Sequence, residues 1–265
     1  MTSSTVDPSF DTRIHPLEAI RALRELFKNK EDTGQVFKII DALKGRSMLR
    51  LAERFRADVV GKQVLAEQRQ LLTTLCNRDY LRSLPEGSYG RTYLQFLETE
   101  GLSAEGLVDA SMEGTNYNAL QADFRLFASR MRDSHDLQHV LTGYGRNSLG
   151  ELCVLTYHFT HTRNPGIGFL VLMAMFKFKR ELPRGVPVFS AIREAYRNGK
   201  QARWIPGTDW EAMLLLPLDE VRHRINVLTP TIYKSVEPRM KALELEYQRN
   251  NASSAVPAHP VPAGG

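Results

Sequence analysis

The chain has 265 residues, of which 42% are hydrophobic and 25% charged, and its formal net charge is +5. This length and composition are typical of a globular protein with a buried core, which excludes a disordered polymer. The most apolar run, residues 166–178, falls short of the roughly 20 apolar residues that a membrane-spanning helix needs. The basic residues form neither a block nor an aromatic-interleaved stripe, so we expect no nucleic-acid partner.

Cysteine usage and the N-terminal sequence indicate the compartment. Cys76 and Cys153 are far apart and lack CxxC spacing, which argues against a disulfide framework or a zinc ribbon. The start, MTSSTVDPSFDTRIH, shows neither a basic and apolar signal sequence nor an Arg-rich transit sequence. We therefore expect a cytoplasmic protein whose residues 1–15 form a flexible terminus.

Hydrophobic residues recur at helical spacing along the first half of the chain. PLEAIRALRELFKN has Pro16 in its first helical turn, and TGQVFKIIDALKG ends at Gly45. Helices are also predicted over MLRLAERFRAD and, as a single element, over VLAEQRQLLTTLC. A break at residues 84–87 precedes a helix that closes near Gly101.

The second half of the chain is predicted to be helical as well, and Gly143-Tyr144-Gly145 separates its first two helices. The predicted helices cover residues 117–141, 148–162, 167–180, 187–200 and 230–249. One further short helix is predicted on each side of Pro217. No run of alternating β-branched residues predicts a strand. The fold class is therefore all-α.

The domain organisation follows from the lack of any long linker before residue 250. We expect a single-domain helical bundle over residues 16–229, followed by a C-terminal helix over 230–249. The tail, residues 250–265, is rich in Ala, Pro and Gly and is predicted to be disordered.

The segment SHDLQHVLTGYGRNSLGE, residues 134–151, contains the side chains that point to chemistry. His135 and His139 are four residues apart, so in a helix they lie on one face and can present two ring nitrogens to one point. Asp136 flanks the same face and can ligate a metal or orient a ligand. The spacing therefore indicates a metal site.

A turn after His139 is needed to bring Glu151 to the same point. Gly143 and Gly145 permit a tight turn, and Glu151 falls in the first turn of the following helix. Two histidines with one or two carboxylates suit zinc or another divalent first-row metal, with one position open for water or substrate. The open alternative is a pair of ordinary solvated or core histidines, because HxxxH spacing arises easily.

Two classes of hydrolase share part of this pattern. Zinc proteases require HExxH, whereas Asp136 occupies the position of that glutamate. An HD-type phosphohydrolase would need an isolated upstream histidine and a distant aspartate, and the sequence singles out neither. His158 and His161 are interpreted as an ordinary polar pair rather than as ligands.

The HDxxH motif, eleven further residues and a glutamate together resemble the coenzyme Q (ubiquinone) biosynthesis family named after the fourth Coq protein. The segments LPEGSYGRTYLQFLETEGLS, FASRMRDSHDLQHVLTGYG and WEAMLLLPLDEVRHRINV resemble that family too, so the resemblance covers about residues 17–226. The chain departs from the family at Gln138, where an aromatic residue is usual, in the turn sequence, and beyond about residue 230.

The resemblance implies a metal-dependent decarboxylase, a lyase that removes the C1 carboxylate of a polyprenylated 4-hydroxybenzoate-type precursor. The implied metal ligands are His135, Asp136, His139 and Glu151, and the implied metal is most simply Zn²⁺. The resemblance also implies association with the cytoplasmic membrane surface and with other ubiquinone-biosynthesis proteins, and we expect a homodimer. The alternative function is a non-catalytic scaffold that binds an isoprenoid or quinone and organises the other enzymes.

Further residues are expected to contact the substrate. Arg130 or Arg132 would steer the carboxylate, although surface ion pairing is the ordinary role of such arginines. Gly166, Met173 and Phe176 would line an apolar groove for the isoprenoid tail, although core packing is the more common role of such side chains.

Overall fold

The computed structural model describes residues 11–29, 32–104, 121–183 and 185–254, except for the side chains of residues 248 and 250–254. Within these residues the predicted all-α fold is confirmed: no β-strand forms, and one isolated bridge pairs Ser88 with Pro217. None of the helices in this part of the chain combines the length and the apolar content needed to cross a bilayer.

Helices follow one another closely along the chain. In the first half they are α1 (Pro16–Lys28), α2 (Thr33–Leu43), α3 (Ser47–Ala57), α4 (Val59–Glu67), α5 (Leu71–Cys76), α6 (Arg78–Ser83) and α7 (Tyr89–Glu100). In the second half they are α8 (Ala122–Asp133), α9 (His135–Thr142), α10 (Ser148–Thr162), α11 (Pro165–Glu181), α12 (Val188–Gln201), α13 (Trp210–Met213), α14 (Leu218–Ile225) and α15 (Thr231–Ser254).

Two predicted single helices are each divided into two, so both predictions were wrong on this point. VLAEQRQLLTTLC contributes to α4 and α5, because Gln68 adopts a left-handed backbone with φ of 49°. The helix predicted over residues 117–141 is divided into α8 and α9, because Ser134 has ψ of 0°. Residues 117–120 of that prediction lie outside the described residues, and Gln121 precedes α8 as its N-cap. The Ser134 hydroxyl donates to the Met131 carbonyl at 3.2 Å and satisfies an acceptor at this break.

The C-terminal helix is longer than predicted. It begins at Thr231 and ends at Ser254, five residues beyond the predicted end at 249, with Pro238 inside it. The remaining residues of the predicted tail, 255–265, lie outside the described residues, as do residues 1–10 of the predicted N-terminal segment.

Helices α1, α2 and α11 pack together around small side chains. Ala19 and Ala22 of α1 are buried against Ile39 of α2. On α11, a Cβ added to Gly166 would lie 2.6 Å from the Cα of Ile40, so only glycine permits this approach. Gly166 therefore serves the contact between α2 and α11.

Helix α9 is held from both sides by hydrogen bonds to its backbone. The buried Tyr89 hydroxyl, on α7, donates to the Leu137 carbonyl at 2.6 Å. Arg222, on α14, donates to the carbonyls of Leu141 at 3.0 Å and Val140 at 3.2 Å, which are acceptors that the end of the helix leaves free. These bonds fix the position of α9 relative to its neighbours.

Helix α15 is anchored by a buried carboxylate. Glu194, on α12, is 6% exposed and accepts hydrogen bonds from the Thr231 hydroxyl and from the backbone N–H groups of Ile232 and Tyr233. A carboxylate at this place satisfies N–H groups without partners inside the helix and complements its dipole.

Candidate metal centre

Two histidine side chains meet on α9, as the four-residue spacing predicts. The Nε2 atoms of His135 and His139 are 3.2 Å apart. The His139 side chain is fully buried, whereas that of His135 is 25% exposed. The pair therefore has one inner and one outer member, and the outer member faces the solvent side.

The hydrogen bond of its other ring nitrogen orients the His139 ring. Nδ1 lies 3.0 Å from the Tyr144 carbonyl, which can only accept, so Nδ1 carries the proton in the neutral ring. The lone pair is then on Nε2, the atom that faces His135. Phe96 stacks on the same ring with a centroid distance of 5.9 Å. This arrangement is typical of a metal-ligating histidine.

The turn after α9 has the tight geometry that its glycines predict. Gly143 ends the helix with φ of +77°, and the Asn147 side chain caps α10 by accepting from Gly150 N–H at 3.0 Å. The Tyr233 hydroxyl accepts from Gly145 N–H at 2.9 Å. Gly150 is also essential, because a Cβ there would lie 1.9 Å from the Gly145 carbonyl oxygen.

This turn brings Glu151 to the histidine pair. One carboxylate oxygen, Oε2, lies 3.5 Å from His135 Nε2 and 3.3 Å from His139 Nε2. The other oxygen, Oε1, lies 3.4 Å from Nε of Arg146 in the turn. The predicted convergence of Glu151 with the two imidazoles is therefore present in the structure.

These three donor atoms have separations that suit one small cation. Their mutual distances are 3.2, 3.3 and 3.5 Å. Ligands at about 2.0–2.1 Å in a tetrahedron lie about 3.3 Å from one another. Donor atoms of His135, Asp136 and His139 also lie within 4.8 Å of one another. His135, His139 and Glu151 therefore form the tightest set for a divalent metal, and Asp136 shares the histidine pair in a second, looser set.

Asp136 supports the same interpretation through its surroundings. The residue is 7% exposed, and its carboxylate has no hydrogen bond to any residue that the structure describes. Its carboxylate lies beside the histidine pair, so it adds a negative charge there and can serve as a further ligand.

The protonation of the cluster follows from its charges. Burial would raise the pKa of Glu151, but its interactions with the His135 and His139 imidazoles outweigh burial and hold it well below its usual range. Burial would lower the pKa of His135, but the Glu151 carboxylate outweighs burial and raises it, while Arg146 opposes that rise. Glu151 is therefore ionised at neutral pH, as a metal ligand must be.

Both predicted carboxylate-steering arginines lie beside carboxylates of the protein itself. Arg130 is 5% exposed and forks onto Glu211, with distances of 2.5 and 2.7 Å to the two carboxylate oxygens. Arg132 Nε donates to Asp133 at 2.7 Å. These hydrogen bonds and ion pairs of the two guanidinium groups go to other residues than the histidine pair.

The three residues predicted to line an isoprenoid groove share a helix but have different surroundings. Gly166 is buried in the contact with α2, as described above. Met173 is half-buried, and Phe176 is 56% exposed on the same helix, α11. Helix α11 packs against α10, which carries Glu151.

A polar pair beside the histidines was missed in the sequence. Gln138 is fully buried, and its Oε1 lies 3.1 Å from Nδ1 of His158 on α10. Burial and the nearby charge of His135 lower the pKa of His158 to about 3, so this imidazole is neutral. The departure at Gln138 from the aromatic residue usual in the family was the one available signal.

A comparison with protein families and known structures agrees with the fold and with the family resemblance. A sequence model of "Coenzyme Q (ubiquinone) biosynthesis protein Coq4" matches residues 16–231. The fold is similar to a crystal structure from Nostoc punctiforme, described there as a candidate ubiquinone biosynthesis protein. The TM-score is 0.60 at 19% identity, covering 80% of this chain and 98% of the other.

Several curated relatives are fungal proteins named mitochondrial ubiquinone biosynthesis protein COQ4. Those of Candida tropicalis and Podospora anserina are each 27% identical, over 75% and 77% of this chain. That of Aspergillus flavus is 30% identical over 68% of this chain. The matched regions span 57%, 64% and 61% of these relatives, less than two thirds of their length. Because the family model matches most of the chain, the protein belongs to the Coq4 family of coenzyme Q (ubiquinone) biosynthesis proteins.

Proposed function

We propose that this protein is a metal-dependent enzyme of ubiquinone biosynthesis that removes the C1 carboxylate from a polyprenylated 4-hydroxybenzoate-type precursor. The observation that carries the proposal is the triangle of His135 Nε2, His139 Nε2 and Glu151 Oε2, with sides of 3.2–3.5 Å. Zinc is the proposed metal, because two imidazoles and carboxylates at this spacing suit it. Family membership supports the pathway, and the chemistry of the donor set supports the reaction.

The protein side chains have separate tasks in this proposal. His135, His139 and Glu151 hold the cation, and Asp136 adds a second negative charge beside it. A divalent metal bound there supplies a Lewis acid that stabilises negative charge on the substrate's oxygen atoms. The Tyr144 carbonyl and the Phe96 ring keep His139 oriented without substrate. Substrate approaches from the exposed side, where His135 and Glu151 are 25% and 31% exposed.

The isoprenoid tail requires an apolar surface close to this centre. Helix α11 packs against α10, and its Leu172 and Phe176 side chains are 47% and 56% exposed. Met173 lies half-buried on the same helix. We place the tail along this helix, which agrees with Met173 and Phe176 as substrate contacts but leaves Gly166 as a packing residue.

The test combines metal analysis with quinone analysis in a bacterial strain that lacks its own member of this family. Purified wild-type protein should contain about one divalent metal per chain, and His139→Ala should contain none. The strain carrying His139→Ala should accumulate a carboxylated prenyl precursor and lack ubiquinone by mass spectrometry. His223→Ala, a change at an exposed histidine on α14, is the matched control. Wild-type protein without any metal would overturn the proposal.

A scaffold function is favoured by one observation, the exposed apolar surface of α11 and α1. The Lys177 ammonium of α11 lies 5.5 Å from the centre of the Phe27 ring of α1, and this ring is 49% exposed. A membrane surface or another ubiquinone-biosynthesis protein would cover this apolar surface in this function. The two functions differ in one result: a scaffold would still restore ubiquinone when His139→Ala has removed the metal.

A further inference from the structure

Arg146 lies at the solvent side of the metal centre, in the turn between α9 and α10. Its Nε is 3.4 Å from Glu151 Oε1, while Glu151 Oε2 faces the two imidazoles. The Arg146 side chain is 37% exposed. The guanidinium is therefore separated from the donor triangle by a single carboxylate and is open to solvent on its far side.

The hydrogen-bonding groups of this guanidinium are only partly used. The Nε–H group of Arg146 donates to Glu151. No residue that the structure describes accepts a hydrogen bond from either Nη atom of Arg146. A guanidinium presents its donors in a planar fork that matches a carboxylate or a phosphate. Both Nη groups thus remain available to a ligand beside the metal.

The charge of the centre favours a negatively charged ligand. Asp136 and Glu151 together balance a divalent cation, since a metal-binding histidine is neutral. Arg146 then leaves the loaded centre with one excess positive charge. In contrast, Arg130 and Arg132 are placed beside Glu211 and Asp133, so their charges are already balanced.

We propose that Arg146 binds the anionic oxygen group of the ligand, a carboxylate or a phosphate, through its Nη atoms while that ligand occupies the metal centre. The proposal rests on the proposed function for the metal. It assigns to Arg146 the preference for an acid over its neutral analogue. In this proposal Arg146 steers the carboxylate, a role that the sequence suggested for Arg130 or Arg132. A role in positioning Glu151 alone is the competing explanation of the contact at 3.4 Å.

The test measures anion affinity and metal content separately. Zinc-loaded wild-type protein, Arg146→Gln and Arg146→Lys are titrated calorimetrically with 4-hydroxybenzoate, with its neutral methyl ester and with inorganic phosphate. Arg224→Gln is the matched control, because Arg224 is an exposed arginine that also pairs with a glutamate, Glu220. Preference for 4-hydroxybenzoate or for phosphate then shows which anionic group the site takes.

We expect Arg146→Gln to keep its metal and to bind the preferred anion about tenfold or more weakly, the loss expected for one charge-assisted pair. Affinity for the neutral ester should not change, and Arg146→Lys should recover part of the loss because it keeps the charge without the fork. The control should bind like the wild type. Unchanged anion affinity in Arg146→Gln would overturn the proposal.

Two other results would also be decisive. Loss of zinc from folded Arg146→Gln, checked by circular dichroism, would assign Arg146 to the positioning of Glu151 and overturn anion binding. Wild-type protein that cannot hold zinc would overturn the proposed function instead. The same titrations on the metal-free protein would then test whether Arg146 binds the anion. Anion affinity that depends on Arg146 in that protein would sustain this proposal alone.

Discussion

Two clusters of charged side chains in this protein differ in how fully their charges are matched. In the first, Arg130 forks onto Glu211 and also donates to the Arg69 carbonyl, while Arg69 pairs with Asp209 at 2.9 Å. The second is the proposed metal centre. There, His135, Asp136, His139, Glu151 and Arg146 bring several donor atoms together, and some of their charges and lone pairs have no partner in the described part of the chain. In the first cluster each guanidinium is paired with a carboxylate of the chain, whereas the second leaves donor atoms that a bound ligand could use.

The difference teaches how a stabilising cluster and a functional one are distinguished. Arg130 is 5% exposed and reaches across the fold to α13, so it links distant parts of the chain. Glu151 is 31% exposed and gathers residues from one helical hairpin. Breaking the first cluster should therefore cost stability, and breaking the second should cost binding. The following changes test this contrast in order of decreasing effect.

Glu151→Gln should remove metal binding almost completely. The amide keeps the shape of the side chain but loses the charge and an anionic donor, so metal affinity should fall by more than about a hundredfold. The metal-free variant should also lose some stability at neutral pH, because the folded protein favours the ionised form of Glu151. Metal content by mass spectrometry and urea unfolding measure the two effects.

The matched control for this change is Glu220→Gln, at an exposed glutamate paired with Arg224. It should retain full metal content and near wild-type stability. If Glu151→Gln kept its metal, Glu151 would not be a ligand and the contrast between the clusters would fail.

Arg130→Met should have the opposite profile. Removing one member of a buried ion pair leaves the other charge uncompensated, at a cost of about 3–5 kcal/mol. The double variant Arg130→Met/Glu211→Leu should recover a large part of this loss, because both charges are gone. The free energy of unfolding from urea titration gives the size of both effects, and metal content should not change.

A comparable substitution on the surface sets the scale for this effect. Arg224→Met removes an exposed arginine from its pair with Glu220 and should cost less than about 1 kcal/mol. Equal losses from Arg130→Met and Arg224→Met would show that burial does not matter here, contrary to the comparison.

His161 sharpens the comparison, because it is a buried titratable group that belongs to neither cluster. Burial, together with the charges of Arg54 and Arg163, lowers its pKa to about 4, below the usual 6.5. Because the pKa of His161 is lower in the folded protein, this histidine binds a proton more readily in the unfolded chain than in the folded one. Protonation of His161 therefore leaves the free energy of unfolding unchanged above pH 6.5 and lowers it as the pH falls from 6.5 toward 4.

The size of this effect should be about 2–3 kcal/mol over that range. His161→Gln should lose that much less stability than the wild type between pH 7.5 and pH 4.5, measured by urea unfolding. His223→Gln, at an exposed histidine, should show the same loss as the wild type. Parallel losses in His161→Gln and the wild type would refute a lowered pKa in the folded state.

The parts of the fold that local signals determine could be predicted from the sequence. Gly143 and Pro165 mark helix boundaries, and α10 begins at Ser148 and ends at Thr162 as predicted. Four-residue spacing and one turn were enough to bring His135, His139 and Glu151 together. These relations extend over one helix and its neighbour, where helical geometry fixes which side chains meet.

Long-range contacts and unmarked backbone changes could not be predicted. Glu211, the partner of Arg130, is 81 residues away and follows from the packing of α13 rather than from any pattern. Gln68 and Ser134 are compatible with helices, so no local sequence signal predicts that a helix ends at either residue. Gly166 suggested an open groove, but the close approach of Ile40 gives it a packing role.

The anchoring of α15 has a consequence for anyone who trims this chain. The region shared with the family ends at residue 231, but Tyr233, two residues later, accepts from Asn147 Nδ2 at 2.7 Å and from Gly145 N–H. Glu194 holds the start of the same helix in place. A shortened version cut at the border of the shared region would therefore lose the brace under the loop that presents Glu151, even though every ligand remained in its sequence.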